Sequence, residues 1–111
     1  MREARILFRD EDAGVLTQHD DGTFSFCYRN AWLTDGSKPA ISLTLPKSSK
    51  EFRSPFLFPF FFNMLPEGAN KQAICKQNRI DLDDYFGILL TVAQYDTIGA
   101  VRVIKVENDR L

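Results

Sequence analysis

The sequence predicts an α+β fold: a small antiparallel sheet with about three helices packed on one face. Three observations predict it. "TFSFCYR" (Thr23–Arg29) alternates Phe24, Phe26 and Tyr28 with Ser25, Cys27 and Arg29, the period of two that gives a strand one buried face. "DLDDYFGILLTVAQY" (Asp81–Tyr95) instead sets Tyr85/Phe86, Leu89/Leu90 and Ala93 at i, i+3/i+4 and i+7, the stripe of an amphipathic helix. "GAVRVIKV" (Gly99–Val106) then returns to alternation. Strands first, helices next and one closing strand place the helices together on a sheet face.

The elements follow in order. "RILF" (Arg5–Phe8) opens the sheet, and an acidic turn covers Asp10–Gly14. Strands at Gly14–Gln18 and Thr23–Arg29 flank "HDDG", whose Asp21-Gly22 pair readily takes positive φ. "NAWLTDGSKP" reads as a loop, broken by Asp35-Gly36 and Pro39. "AISLTLP" (Ala40–Pro46) reads as a strand with Ile41, Leu43 and Leu45 on one side, and "KSSKEFRSP" as a polar loop. A helix of about two turns runs from Phe56 or Pro59 to Leu65, with Pro59 near its first turn. A second helix covers Gly68–Arg79, and the third is capped by Asp81 or Asp83. Gly99 relaxes the entry to the final strand.

The chain of 111 residues predicts one domain, spanning 1–111. Its 44% hydrophobic and 26% charged residues are those of a folded protein. Fourteen basic against fifteen acidic residues leave a net charge of −1, which gives no general attraction to nucleic acid or an anionic membrane. The apolar run Phe56–Phe62 is interrupted by Pro59 and is far below the roughly 20 residues of a membrane-spanning helix. The charged opening "MREARILFRDEDAG" is no signal peptide. Cys27 and Cys75 lie far apart without a CxxC, as expected of reduced thiols in a cytoplasmic protein.

Candidate chemistry is sparse. Neither GxxxxGK[ST] nor GxGxxG occurs among the six glycines, so no small-molecule substrate or cofactor is expected. His19, beside Asp20 and Asp21, reads as an exposed turn residue and not as a general base. One histidine and two separated cysteines offer too few ligands for a transition metal. Asp81, Asp83 and Asp84 sit at a helix start, where acidic residues complement the dipole. "RDEDAG" lacks the distal glutamate of a calcium loop. Asp96 reads as a turn residue, and Ser48-Ser49 have no base beside them. No catalytic, cofactor-binding or metal-binding residue is assigned, and the chain is not expected to be an enzyme by itself. Trp32 reads as an anchor closing one end of the core, with an interface hot spot as the alternative.

"FRSPFLFPFFFNMLPEGANK" (Phe52–Lys71) holds six of the ten phenylalanines in its first eleven residues. Most of these rings are expected in the core against Phe24 and Phe26. Together with "GVLTQ…GTFSFCYRNAWL", "ISLTLP" and "DDYFGILL…YDTIGAV", the "FFNMLPEG" turn resembles the N-terminal domain of HipA-type serine/threonine kinases, over about Gly14–Val106. Two departures are Lys71, where arginine is common, and Ala93-Gln94 in place of a usual glycine. The resemblance implies the fold already read from the pattern. It also implies that the nucleotide loop, catalytic aspartate and magnesium ligands of such kinases lie beyond this domain.

A free-standing copy of the domain is similar to the HipS-type antitoxins of tripartite HipBST toxin–antitoxin systems. That likeness implies an antitoxin that binds a HipT-like kinase toxin and neutralises it, with a HipB-like helix-turn-helix protein in a ternary complex. The expected contact is Asn63, Met64, Leu65, Pro66, Glu67 and Gly68, a turn that obstructs the kinase sterically. The alternative is a non-inhibitory subunit that stabilises the kinase or couples it to the HipB-like repressor. Direct DNA binding is disfavoured by the near-neutral charge and the lack of a helix-turn-helix pattern.

Overall fold

Phe24, Phe26 and Tyr28 all point into the core from one face of β3 (Phe24–Tyr28), as their alternation requires. The computed structural model describes residues 1–93 and 100–106. Around β3 stand β1 (Arg2–Phe8), β2 (Glu11–Gln18), β4 (Glu51–Ser54) and β5 (Val101–Lys105). They form a five-stranded sheet in the order β4-β3-β2-β1-β5, with every neighbouring pair antiparallel.

Ala4, Ile6, Leu16, Phe26 and Val103 meet in cross-strand register on the core face. Gly14 opposes Tyr28. A Cβ at Gly14 would stand 2.5 Å from the Cys27 carbonyl oxygen and 2.8 Å from the Phe26 ring, so the lack of a side chain leaves room for that ring against β2. The first turn is shorter than the expected Asp10–Gly14. Only Arg9 and Asp10 lie outside the strands, at φ of 51° and 68°, the positive pair of a two-residue hairpin matched to strand twist. The "HDDG" turn forms, with only Gly22 of the Asp21-Gly22 pair at positive φ, 89°: the Gly22 N–H donates to the His19 carbonyl at 2.9 Å.

Two expectations about the strand beside β3 are corrected. "AISLTLP" is not a strand. Ile41 and Leu45 are buried, but Leu43 is 98% exposed, and the Leu45 N–H closes a turn on the Ser42 carbonyl at 3.1 Å. The buried hydroxyl of Tyr28 accepts from the Ile41 N–H at 3.1 Å and donates to the Leu45 carbonyl, satisfying groups that a strand would have given to a ladder. The place beside β3 belongs instead to β4, from the segment read as a polar loop. There Phe52 pairs across from Phe26, and an aromatic pair outweighs the polar flanks.

The Asn30–Pro39 loop opens with a single helical turn, α1 (Asn30–Leu33). It buries Trp32, whose Nε1 donates to the Pro39 carbonyl at 2.9 Å and whose ring lies 5.6 Å from Phe8. Trp32 is the expected end anchor.

The remaining helices are α2 (Pro59–Phe62), α3 (Gly68–Asn78) and α4 (Tyr85–Val92). The cap of α4 is neither Asp81 nor Asp83 but Asp84, whose Oδ1 accepts from the Gly87 N–H at 3.1 Å. Arg2 fixes that choice by holding the same carboxylate. Phe86, Ile88, Leu89 and Ala93 are buried. The Ala93 carbonyl accepts from the Val103 N–H at 2.8 Å, which ties the helix end to β5. The readings of Asp96 and Gly99 lie outside the described residues.

Candidate functional site

The Phe-rich segment divides its rings between core and surface by simple geometry. Ser54 Oγ accepts from the Phe56 N–H at 3.1 Å, turning the chain out of β4. Phe56 is left 75% exposed, while Leu57 and Phe58 turn inward. Pro59 takes the first helical position of α2, where its missing N–H costs nothing. One turn then puts Phe61 inside, with ring centroids 6.1 Å from Phe26 and 6.5 Å from Phe58. Phe62, one residue on, is 48% exposed and meets Tyr85 edge-on at 5.6 Å.

After α2 the chain tightens. The Met64 and Leu65 N–H groups donate to the Phe61 and Phe62 carbonyls, both at 3.0 Å. Pro66 has no N–H with which to continue. Glu67 is extended and Gly68 has φ 58°, so the chain reverses into α3. The result is an open groove of about 330 Å³, walled by Phe62, Leu65, Pro66 and Tyr85. Five of the six expected contact residues line it: Asn63, Leu65, Pro66, Glu67 and Gly68. Met64 does not; it is half-buried against the core.

Three groove residues escaped sequence reasoning: Phe62, Lys71 and Tyr85. The Lys71 ammonium sits 5.1 Å from the centre of the Tyr85 ring, a cation–π contact that gives the groove a cationic corner. Across the Phe62–Tyr85 ridge lies a second depression of about 430 Å³, lined by Phe24, Phe56 and Leu57 among others. The helical period gave no signal for Phe62: it stands at i+4 from Phe58, on the face that Phe58 and Phe61 share, yet is 48% exposed. Pairing it with Tyr85 needed the tertiary fold.

The other candidates are engaged structurally. His19 is half-buried and not free in solvent; its Nε2 shares a hydrogen bond with Ser25 Oγ at 3.0 Å. Asp84 is committed to Arg2 and to the α4 cap, and the Arg2 hydrogen bonds hold its carboxyl below the usual carboxylate range. Among the described residues, no three His, Cys, Asp or Glu side chains converge on a point that could hold a metal. Cys27 and Cys75 are free thiols. No helix among the described residues is long and apolar enough to cross a membrane.

The family model of the HipA N-terminal domain matches residues 4–104. The chain belongs to that family. A solved structure titled "N-terminal domain of HipA toxin" superposes with a TM-score of 0.72 and 29% identity, over 98% of this chain and 96% of that one. An uncharacterised protein of Haemophilus influenzae is 31% identical over 103 residues, covering 93% of this chain and 92% of its own length. Two Sinorhizobium fredii proteins are named Putative kinase Y4mE and Putative kinase Y4dM. They are 27% and 30% identical, over 98% and 89% of this chain. The chain spans only about a quarter of each, 26% and 25%. This HipA N-terminal domain is thus related both to proteins of kinase length and to a protein of nearly its own size.

Proposed function

We propose that this chain is a HipS-type antitoxin, which binds a HipT-like serine/threonine kinase toxin in the cytoplasm and neutralises it by steric obstruction. The observation that carries the reading is the groove at the end of the Phe-rich segment. Apolar walls at Phe62, Leu65 and Tyr85, beside the exposed ring of Phe56, supply the apolar anchors that a protein interface wants. The kinase-named relatives support it from another side, because the same domain makes up a quarter of their length. A separate copy would cover the kinase surface that the joined domain covers in them. Inhibition by this route needs no catalytic group. A HipB-like protein would complete a ternary complex and supply operator binding.

The same relatives favour a second reading, a non-inhibitory subunit, since a domain joined to a kinase can stabilise it without silencing it. One assay separates the two. A HipA-like kinase, sought in the neighbouring reading frames, is purified and its autophosphorylation followed with and without this chain. Loss of activity on adding the chain, restored by Leu65→Asp with its fold intact, is expected. Unchanged autophosphorylation with a bound chain supports the subunit instead. Inhibition indifferent to Met64→Asp and Leu65→Asp would remove the turn from the contact.

A further inference from the structure

We infer that α3 is a strap: it opens as one unit while the sheet and α4 stay folded, and its closure completes the groove. The link to partner binding rests on the groove being the contact with the kinase. Of the helix Gly68–Asn78 only Cys75 is buried, with Lys71 and Ile74 half-buried and the rest exposed. Among the described residues the main core gathers Phe26, Phe61 and Phe86, and neither Ile74 nor Cys75 joins it. The neighbouring α4 is shorter, yet it has a side-chain cap from Asp84 and buries Phe86, Ile88 and Leu89. On α3 no side chain caps the start, and no acidic residue lies in the first turn. Its 11 residues fall below the roughly 12–15 at which an isolated helix becomes even marginal in water. Gly68, Asn70 and Asn78 are weak helix formers besides. A few contacts hold α3, not a packed face.

Those contacts amount to a latch between two hinges. The latch is the Lys71 ammonium, 5.1 Å from the centre of the Tyr85 ring. The hinges are the two ends of the helix, both at positive φ, 58° at Gly68 and 56° at Arg79. Gly68 takes that conformation freely, whereas Arg79, with a Cβ, is strained in it. The Ile80 N–H, which donates to the Cys75 carbonyl at 2.9 Å, holds Arg79 there only while the helix is wound. Opening releases the strain.

The hinge positions decide what moves. Gly68 and Lys71 wall the groove from α3, whereas Phe62, Leu65 and Pro66 precede the first hinge and Tyr85 follows the second. Opening α3 withdraws the cationic corner and bares one face of the Tyr85 ring. Closing it restores the whole groove. A partner that touches Lys71 and Tyr85 together therefore favours the closed state and shifts the population toward it.

Native-state hydrogen exchange of the full chain, read by NMR across a urea series, tests this. The α3 amides are expected to exchange about a hundredfold or more faster than those of β3 and α4, through one shared opening of small urea dependence. Lys71→Gln is expected to speed that exchange about two- to fivefold, the worth of an exposed cation–π contact. Arg79→Gly is expected to slow it severalfold, with β3 exchange unchanged in both variants. Exchange of α3 at the free energy and urea dependence of global unfolding overturns the inference. So does exchange graded inward from the helix ends, which is fraying. Bound to the kinase, α3 is expected to exchange about tenfold or more slowly than in the free chain; unchanged exchange in a bound chain overturns the link between strap and groove. A chain that does not bind the kinase removes the kinase-binding reading, while the strap stands or falls on the free chain alone.

Discussion

Arg2 and Asp84, separated by 82 residues, form the contact that joins the first strand to the last helix: Nη2 donates to Oδ1 at 2.6 Å and Nη1 to Oδ2 at 3.2 Å. The same guanidinium donates to Gln18 Oε1 and lies 5.1 Å from the centre of the Phe86 ring. Asp84 meanwhile caps α4, whose first residue, Tyr85, walls the groove. Both side chains are partly exposed, 41% for Arg2 and 30% for Asp84, so solvent screens the charge and keeps the ion-pair share below about 1 kcal/mol.

Asp84→Ala removes cap and ion pair together and is expected to cost about 1–2 kcal/mol at neutral pH. Asp84→Asn keeps a capping oxygen and is expected to cost less. The folded-state pKa of Asp84 is depressed, so its contribution is complete above the unfolded value of about 3.9. It is lost as pH falls from there through the folded value. Urea unfolding from pH 7 down to pH 2 checks this: the wild type should lose more stability than Asp84→Asn across the acid part of that range.

Gly14→Ala is expected to destabilise the domain by about 1–3 kcal/mol, the cost of overpacking. The new methyl would collide with the Cys27 carbonyl and the Phe26 ring, and neither backbone nor buried ring can easily yield. A drop in melting temperature without any change in secondary structure is the expected observation. A neutral substitution would mean that β2 and β3 separate more easily than this packing implies.

Phe56 and Phe61 lie five residues apart in one segment, yet one aromatic serves the fold and the other its surface. Phe61→Ala is expected to cost about 3–5 kcal/mol, a large share of the 5–15 kcal/mol by which domains are stable. Phe56→Ser, on an exposed ring, should change stability by no more than about 0.5 kcal/mol yet weaken binding to the kinase. Thermal melts of the two variants, with a pull-down of the second, check both halves.

Tyr28→Phe deletes a single buried oxygen and leaves the Ile41 N–H and the Leu45 carbonyl without it. The expected cost is about 1–3 kcal/mol, with faster amide exchange at Ile41. Burial raises the pKa of this hydroxyl. Its contribution is therefore complete below the unfolded value of about 10 and is lost as pH rises from there through the folded value. The phenylalanine variant should show a weaker alkaline loss of stability than the wild type.

Much of the candidate surface was legible because covalent constraints are local. Pro59 starts a helix and Pro66 stops a chain of N–H donors whatever surrounds them, so the Asn63–Gly68 turn could be read from its residues. Its partners could not. Phe62, Lys71 and Tyr85 meet only after α3 and α4 have packed, and no spacing along the chain encodes that meeting. "ISLTLP" failed for a related reason: alternation describes which side chains could share a face, but a ladder also needs a neighbour. A tyrosine hydroxyl thirteen and seventeen residues upstream took those backbone groups first.

By itself the sequence determined the α+β class, the inward face of β3, the hairpin at "HDDG" and the apolar stripe of α4, because each follows from a repeat of two or 3.6 residues or from a turn residue's φ. Only the tertiary structure decided that Glu51–Ser54 rather than Ala40–Pro46 joins the sheet, that Asp84 caps α4, and that Leu43 stands in water. Those outcomes are competitions between distant groups for one partner, and they are settled by which buried donor, acceptor or ring is in reach.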